Sequence, residues 1–515
     1  MYLGTASLPF THMSHEARKG ALYNYLNLLL ITVTGVFLTP FIVRNLGASQ
    51  YGLYTLVGAL IPYCMLLDMG MGKTITRYVA HYRAHNDRDG EARFMTTCIG
   101  VYGVIIVVLL VCGGCLYSYS DRIWSNQLTP SELHNVRKMI AMVVAAHVII
   151  IPGNAFTAIC NGSGLFAFPR AVQPIKYLIR VVCVIALLLL GYKAFSLIAL
   201  EMILNIGIVA STLIYVHRHI GRQHIFAPTR AAYRPILKYS SWIALYATTY
   251  ALQWNAGMII AGLQMDAATI GVVGIGIMIG NMYGYFAETI NRMTLPHATQ
   301  LIKGNPSGEE ITQNMVNIGR IIAIVQMGIM SAFAIFGESF IQLWAGETYR
   351  EAYIVALMMM ASWIVELSQD YGNTLIEAKG RVKTMAIINF ITIFAGAITS
   401  YYTSSRYGVT GLIGALSCGT ILATIANNIY YKHLLQLNIK EYMTRVYGRL
   451  TVVTATCVIM FLVIRHFIAD VATWTWLIGG IATYIGLYAI CIYRCVLSKE
   501  EKETIQKHVQ SRRGK

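Results

Sequence analysis

Long apolar runs alternate with short polar links along almost the whole chain. Each run holds about 20 residues, the length that an α-helix needs to cross the hydrocarbon core of a membrane. Helices are favoured over a β-barrel because a helix satisfies the backbone hydrogen bonds of a spanning segment within itself. The pattern predicts an all-α integral membrane protein with about 14 transmembrane helices, at residues 21–43, 52–72, 94–118, 138–160, 170–191, 194–216, 241–263, 268–291, 315–337, 352–376, 383–402, 408–430, 450–468 and 473–496.

The composition and the distribution of charge agree with this class. Of the 515 residues, 56% are hydrophobic and 12% are charged, against about 25% charged residues in soluble domains. With a cytosolic N-terminus, 31 of the 40 Lys and Arg residues fall on the cytosolic side and eight outside, with Arg180 left within a span. This follows the positive-inside rule. The net charge of +17 is therefore explained by a topology with both termini cytosolic and by attraction to anionic lipids. A nucleic-acid partner is not needed to explain it.

A strongly basic link after the sixth run divides the chain into two predicted lobes of six helices each, followed by two C-terminal helices. The predicted parts are a cytosolic N-terminal segment at 1–20, an N-lobe at 21–216, the cytosolic basic link at 217–240, a C-lobe at 241–430, a cytosolic link at 431–449, two further spans at 450–496 and a basic cytosolic tail at 497–515. The C-lobe opens with a weak echo of the N-lobe, in which Ile270-Gly271 corresponds to Tyr51-Gly52. Parallel repeats of this kind place a substrate site between the halves of a transporter.

Two cations lie inside the fifth predicted span. Lys176 and Arg180 are four residues apart and therefore share one helix face. A charge at bilayer depth costs about 2.5–3.5 kcal/mol on insertion scales, so it calls for a function or a partner. An anion such as a pyrophosphate would relieve the repulsion between the two side chains. The alternative is a span that begins near Tyr177, with both cations reaching the inner interface.

Several acids also fall within predicted spans. Glu366 and Asp370 form a like-charged pair four residues apart in the tenth span, an arrangement that suits the uptake of a proton or a sodium ion. Pairing with a basic residue on a neighbouring span is the alternative. Asp68 lies near the cytosolic end of the second span, where it would either couple transport to an ion or fix the helix end by pairing with Lys73 or Arg77.

The remaining candidate groups are interpreted as structural residues and not as proton-relay, redox or metal-binding groups. His147 is interpreted as a hydrogen-bonded interior residue rather than a proton relay. The ten cysteines, including Cys112 and Cys115, lie in or at the ends of apolar runs and are interpreted as small buried residues, because a redox or zinc site would need polar neighbours. No metal site and no cofactor are predicted.

Residues 39–93 carry three motifs that identify a family. The first is P-F-x-x-R-x-L-G-x-x-x-Y-G-x-Y, from Pro40 to Tyr54, and the others are L-L-D-x-G-x-G, which contains Asp68, and R-Y-x-A, which begins at Arg77. This stretch resembles the polysaccharide-transport (Wzx-type) flippases of the multidrug/oligosaccharidyl-lipid/polysaccharide exporter superfamily. The resemblance implies a MATE-like fold.

The resemblance also implies a function. The expected activity is translocation of an undecaprenyl-pyrophosphate-linked oligosaccharide, such as an O-antigen, capsule or exopolysaccharide unit, across the bacterial inner membrane by alternating access. The expected partners are this lipid-linked oligosaccharide, membrane lipids and other membrane proteins of glycan assembly. The candidate pyrophosphate contacts are Lys176, Arg180, Lys73, Arg77 and Arg292, although Arg292 also suits a local ion pair with Glu288. The candidate groups for coupling to a proton or sodium gradient are Glu366, Asp370 and Asp68.

Two other classes of function remain. A multidrug exporter of the same superfamily would need a cavity dominated by acids for its cationic substrates, which Lys176 and Arg180 do not favour. A membrane glycan polymerase or ligase usually presents a large outer loop for catalysis, and the longest outer link here, residues 119–137, is modest. The sequence contains no nucleophile elbow, phosphate loop or paired catalytic carboxylates on a soluble domain. It therefore predicts a transporter and not an enzyme.

Overall fold

The computed structural model describes residues 15–220, 248–291, 294–466 and 473–497, together with Lys502. All regular structure in these ranges is helical, as the apolar pattern predicts. Eleven described helices are long and apolar enough to cross a membrane. The protein is thus a multi-pass α-helical membrane protein, and its residues form two compact units, Met1–Gly271 and Val272–Lys515.

The predicted number of 14 spans can be compared with these helices one by one. Two predicted spans, 383–402 and 408–430, correspond to the two arms of one element, Val382–Leu435, which leaves helical geometry at Gly408. The first predicted span, 21–43, lies in the helix His15–Leu46. The apolar stretch Val33–Leu46 of this helix is shorter than a membrane span. The seventh, 241–263, falls partly outside the described residues. The count of 14 therefore stays a prediction, as do the lobe boundaries, because residues 221–247 of the basic link also lie outside the described part of the chain.

The described residues of the first unit form eight helices and the start of a ninth. In chain order they are α1 (His15–Leu46), α2 (Ala48–Leu66), α3 (Met71–Ala84), α4 (Arg88–Trp124), α5 (Pro130–Gly162), α6 (Ala167–Leu189), α7 (Ala194–His219), α8 (248–264) and α9 (Ala267–Asn291).

Glycines set the closest contacts within this unit. A Cβ atom on Gly153 of α5 would lie 2.4 Å from a methyl group of Val209 on α7, and a Cβ atom on Gly162 would lie 2.8 Å from the carbonyl oxygen of Thr76 on α3. Small residues allow membrane helices to approach closely, which is how such helices gain van der Waals contact without a hydrophobic driving force. Helix α5 is thus the centre against which α3 and α7 pack.

The predicted second span, 52–72, is interrupted. Helix α2 ends at Leu66, and Met69 and Gly70 adopt positive φ angles of 49° and 71° before α3 begins. One face of α3 is buried through Ile75 and Val79, while Lys73 lies on its exposed face. The break therefore converts the end of the predicted span into a separate amphipathic helix.

The dipeptides that the sequence aligns as a repeat meet each other. A Cβ atom on Gly52 would lie 1.7 Å from the carbonyl oxygen of Ala267, and a Cβ atom on Gly271 would lie 2.9 Å from the carbonyl oxygen of Ala48. Each glycine thus faces the carbonyl group four residues before the other glycine. The start of α2 and the start of α9 cross at backbone distance, which only glycine permits at these two positions.

The second unit contains the rest of α9 and eight further helices. They are α10 (Leu295–Lys303), α11 (Gly308–Trp344), α12 (Ala352–Ser368), α13 (Asp370–Ala378), α14 (Val382–Leu435), α15 (Ile439–Met443), α16 (Arg449–His466) and α17 (Trp474–Cys491). Helix α14 turns back on itself at Gly408 (φ 57°, ψ −139°). Its two arms approach so closely that a Cβ atom on Gly396 would lie 3.0 Å from the Cα atom of Gly419.

The tenth predicted span, 352–376, is also interrupted. Helix α12 ends at Ser368, Gln369 departs from helical geometry (φ −95°, ψ 0°), and α13 begins at Asp370. The two predicted C-terminal spans correspond to α16 and α17, which pack on α11. Tyr488 of α17 donates a hydrogen bond to the carbonyl oxygen of Ile324 at 2.9 Å.

Candidate functional site

Lys176 and Arg180 lie on one face of α6, as their spacing predicts. Their side chains are 11% and 18% exposed. Helix α6 begins at Ala167, so both cations are interior helix residues with protein around them. The depth of the two cations in the membrane stays a prediction.

A single carboxylate joins the two cations. The Lys176 ammonium contacts Oε1 of Glu201 on α7, and Nε of Arg180 donates to Oε2 of the same carboxylate at 2.9 Å. Lys176 also donates to the side-chain oxygen of Asn205, one turn further along α7, at 2.9 Å. The anion that the sequence leads us to expect beside this pair is, in this structure, a residue of the chain itself.

Two tyrosines complete the surroundings of Arg180. Its guanidinium group donates to the hydroxyl of Tyr54 on α2 at 3.2 Å and lies over the ring of Tyr177, with 5.5 Å between Cζ and the ring centre. Tyr54 is the last residue of the first family motif. We call Lys176, Arg180, Glu201, Asn205 and Tyr54 the Glu201 cluster. Its two cations and one carboxylate carry a net charge of +1.

The other predicted pyrophosphate contacts do not join this cluster. Lys73 and Arg77 lie on the exposed face of α3, whereas the partners of Lys176 and Arg180 come from α2 and α7. Arg292 lies outside the described residues, so its predicted roles beside Glu288 and at a phosphate stay predictions. The structure thus brings together two of the five predicted cations.

Asp68 lies in the turn between α2 and α3. One carboxylate oxygen accepts a hydrogen bond from the hydroxyl of Tyr102 at 3.2 Å, and the other accepts from the backbone N–H of Gly72 at 3.4 Å. Because Gly72 is in the first turn of α3, the carboxylate caps that helix and interacts favourably with its dipole. Asp68 thus contacts the first turn of α3, in line with the predicted role of fixing a helix end. Its predicted role in ion coupling stays a prediction.

Glu366 and Asp370 are placed on different helices by the break at Gln369. The acids Glu288 and Glu377 act electrostatically on Asp370. The spacing of four residues assumes a continuous helix, whereas α12 ends between Glu366 and Asp370. The coupling role of the two acids stays a prediction.

Amide groups surround Asp370. Asn373 donates to its carboxylate at 2.8 Å, and Asn291 also hydrogen-bonds to it. The Asn291 amide donates in addition to the carbonyl oxygen of Leu367, near the end of α12, at 3.3 Å. Its own oxygen is buried and has no partner among the described residues. Oxygen atoms from a carboxylate, an amide and a helix end thus converge here, and such atoms are the ligands that hard cations prefer.

A second set of polar contacts holds the break in place. The side chains of Gln369 and Asn428 donate to each other at 2.9 Å in both directions. The hydroxyl of Tyr431 contacts the side-chain oxygen of Asn373. Asn428 and Tyr431 belong to α14, so this helix supports both ends of the interruption. Buried polar groups that are fully paired in this way stabilise one arrangement of the helices.

The other residues that the sequence analysis considers are His147 and the cysteines. His147 is fully buried and its Nδ1–H donates to the carbonyl oxygen of Val143 at 2.7 Å, as predicted for an interior residue. Cys112 and Cys115 are exposed, which corrects the prediction that they are buried. The exposed face of a membrane helix is apolar, so a small thiol fits there too. Among the described residues no group of three or more His, Cys, Asp or Glu side chains could hold a metal ion.

Sequence reasoning missed Glu201, Asn205 and Tyr54 as members of the cluster. A depth argument would have found the first of them. Arg180 lies about ten residues before the turn between α6 and α7, and Glu201 lies about eight residues after it. At about 1.5 Å per residue both lie roughly 12–15 Å from that turn, so their charges are at the same level in neighbouring helices.

Comparison with known proteins identifies relatives. The chain is 19% identical over 499 residues to the Bacillus subtilis protein named "Uncharacterized membrane protein EpsK", covering 94% of this chain and 96% of that one. It is 18% identical to a Salmonella typhi protein named "Putative O-antigen transporter", covering 76% of this chain and 90% of the other.

Solved structures show the fold. A structure of the lipid II flippase MurJ in an inward closed conformation matches with a TM-score of 0.73 at 12% identity, over 92% of this chain and 98% of that one. An inward-facing multidrug resistance MATE family transporter of the MOP superfamily matches with a TM-score of 0.63 at 12% identity, over 81% and 94% of the two chains. The predicted MATE-like fold is therefore confirmed.

The relatives named for an activity are transporters or a flippase, in agreement with the prediction that the chain is not an enzyme. The sequence pattern of one family, described as "Polysaccharide biosynthesis protein", matches residues 17–297, which is more than half of the chain. The chain therefore belongs to the polysaccharide biosynthesis protein family.

Proposed function

We propose that this protein is a flippase that moves an undecaprenyl-pyrophosphate-linked oligosaccharide from the cytosolic to the outer leaflet of a bacterial inner membrane by alternating access. The family membership supports a role in polysaccharide biosynthesis, and the fold shared with MurJ supports the movement of a lipid-linked substrate. A relative named for O-antigen transport supports an O-antigen, capsule or exopolysaccharide unit as the cargo.

The observation that carries the proposal is the Glu201 cluster. A carboxylate and a tyrosine hold two cations in place on one face of an apolar helix, where an anion can bind them. The pyrophosphate of such a substrate is charged and must pass the membrane interior. Arg and Lys are the residues that bind phosphate oxygens through charge-assisted hydrogen bonds. In this account Lys73, Arg77 and Arg292 contact the pyrophosphate at other stages of the cycle.

We infer that coupling to an ion gradient, where it occurs, runs through acids in the membrane-spanning helices. Asp370 is the strongest candidate, because it is an acid at the break between α12 and α13 whose carboxylate is held by the N–H groups of Asn373 and Asn291. A proton or a sodium ion suits this group. Glu366 and Asp68 are the further candidates. The termini are cytosolic in this topology, and membrane lipids and other proteins of glycan assembly are the partners.

A cell-based experiment separates the proposed activity from the other classes. Cells lacking the protein should accumulate complete oligosaccharide units on undecaprenyl pyrophosphate in the inner leaflet. Accumulation of units in the outer leaflet, exported but not polymerised or transferred, would instead identify a polymerase or ligase. A third result, normal glycan export together with increased sensitivity to cationic dyes, would identify a multidrug exporter. Expression of the deleted gene from a plasmid must reverse whichever defect appears.

A further inference from the structure

We propose that Glu201 is an internal substitute for the substrate's pyrophosphate, and that its negative charge limits how tightly the cluster holds that pyrophosphate. The inference rests on the proposed function and adds a residue that sets the affinity of the same site. Glu201 would be a specificity-determining residue whose charge makes release possible.

The geometry of the carboxylate is that of a substitute anion. Its two oxygen atoms are divided between the two cations, with Oε1 on Lys176 and Oε2 on Arg180. A pyrophosphate has the same property, because each of its two phosphate groups presents oxygen atoms to one cation. Glu201 therefore holds the two side chains at a separation that can be bridged by an anion with two groups of acceptor oxygen atoms.

The cluster keeps donors available for an incoming anion. Arg180 has five N–H groups, of which the described contacts use one at Nε for Glu201 and one at the terminal nitrogen for Tyr54. Lys176 has three, of which the contacts to Glu201 and Asn205 use two. The remaining N–H groups have no partner among the described residues, and the cations are still 11% and 18% exposed. An anion can thus reach the cluster while Glu201 is in place.

The charge of Glu201 then decides how strongly the anion is held. In a low-dielectric environment two uncompensated cations attract a pyrophosphate strongly, and removing one member of a buried ion pair leaves such uncompensated charge. A flippase must release its substrate after each crossing. With Glu201 present, the net charge of +1 weakens the complex, and the carboxylate reoccupies the cations as the pyrophosphate leaves.

The test is the affinity of the purified protein in lipid nanodiscs for radiolabelled undecaprenyl pyrophosphate. Three proteins are compared: the unchanged chain, Glu201→Gln, which removes the charge and keeps the shape, and Glu201→Asp, which keeps the charge. Glu338→Gln serves as a matched control because Glu338 forms an exposed ion pair with Arg350. Undecaprenol, which has no phosphate, reports binding through the lipid tail. Size-exclusion profiles and thermal stability verify that each variant is folded.

We expect Glu201→Gln to lower the Kd for undecaprenyl pyrophosphate by about tenfold or more and to slow flipping in liposomes, while Glu201→Asp and Glu338→Gln change the Kd little. A folded Glu201→Gln protein with an unchanged or higher Kd would overturn the inference, since Glu201 would then only position the cations. That result leaves the proposed function standing if the unchanged chain binds the pyrophosphate and flips it. Absence of phosphate-dependent binding in all four proteins would instead refute the proposed function, and the inference with it.

Discussion

Nε of Arg180 lies 2.9 Å from a carboxylate oxygen of Glu201, across the turn that joins α6 to α7. The same carboxylate contacts Lys176. Helices α6 and α7 thus form a hairpin in which two cations and one carboxylate lie at the same level along the helices. This arrangement explains how two cations four residues apart are tolerated in an apolar helix, and it leaves a positive site that a phosphate group can use.

The contact between the starts of α2 and α9 should depend on glycine. In Gly52→Ala, the new Cβ atom would lie 1.7 Å from the carbonyl oxygen of Ala267, so the helices must separate. We expect a loss of stability at or above about 3 kcal/mol, the upper part of the range for overpacking. Gly58→Ala, on the same helix with no atom within 4 Å of the new methyl group, is the control. Thermal unfolding of the two purified variants measures the difference, and equal melting temperatures would contradict the close crossing.

The ion pair at the junction of α3 and α4 should contribute to stability because it is buried. Arg83 donates to Glu91 at 2.8 and 3.1 Å, and the Glu91 side chain is 3% exposed. Glu91→Gln leaves the arginine charge uncompensated, at a cost of about 3 kcal/mol or more. Glu441→Gln breaks the exposed pair with Arg445 and should cost at most about 0.5 kcal/mol. Thermal unfolding should separate these variants clearly; similar melting temperatures would show that the Glu91 pair is not desolvated.

Asp370 should be needed for any response to an ion gradient. We expect Asp370→Asn to flip substrate at the same rate with and without a proton or sodium gradient, because an amide neither takes up a proton nor supplies a charged ligand. Glu338→Gln is the control, since Glu338 forms an exposed ion pair with Arg350 and is not among the acids that act on Asp370. The measurement is flipping in liposomes under each imposed gradient. A gradient effect that survives in Asp370→Asn but is lost in Asp68→Asn or Glu366→Gln would transfer the coupling role to those acids.

The helical class and most of the helices follow from the sequence because a membrane allows few alternatives. Apolar runs of the required length must be helical, and their approximate limits follow from the polar links. The interruptions at Met69 and Gln369 are not visible in this pattern. Polar residues precede both breaks, Asp68 and Ser368, and Gly70 belongs to the first one. The apolar residues nevertheless continue on both sides of each break, so the hydrophobic pattern predicts one span where the structure has two helices.

The site was only partly predictable for a similar reason. Lys176 and Arg180 stand out because charge within an apolar run is costly, and their shared face follows from helical periodicity alone. Their partners depend on how α6, α7 and α2 are rotated against one another. The hydrophobic pattern does not fix that rotation, because exposed faces of membrane helices are apolar as well. The sequence therefore does not identify Glu201 as the partner of both cations.

The most direct test of the central claim is flipping of a fluorescent undecaprenyl-pyrophosphate glycan in liposomes that contain the purified protein, scored by access to a membrane-impermeant enzyme. The unchanged protein should expose the inner-leaflet glycan to the enzyme. Arg180→Gln should reduce the rate by at least about tenfold, because a charged contact to the pyrophosphate is worth more than about 1.4 kcal/mol. Arg350→Gln, which alters an exposed ion pair, should retain the rate. Equal flipping by the unchanged and Arg180→Gln proteins would contradict the cationic site, and no flipping by the unchanged protein would contradict the proposed function itself.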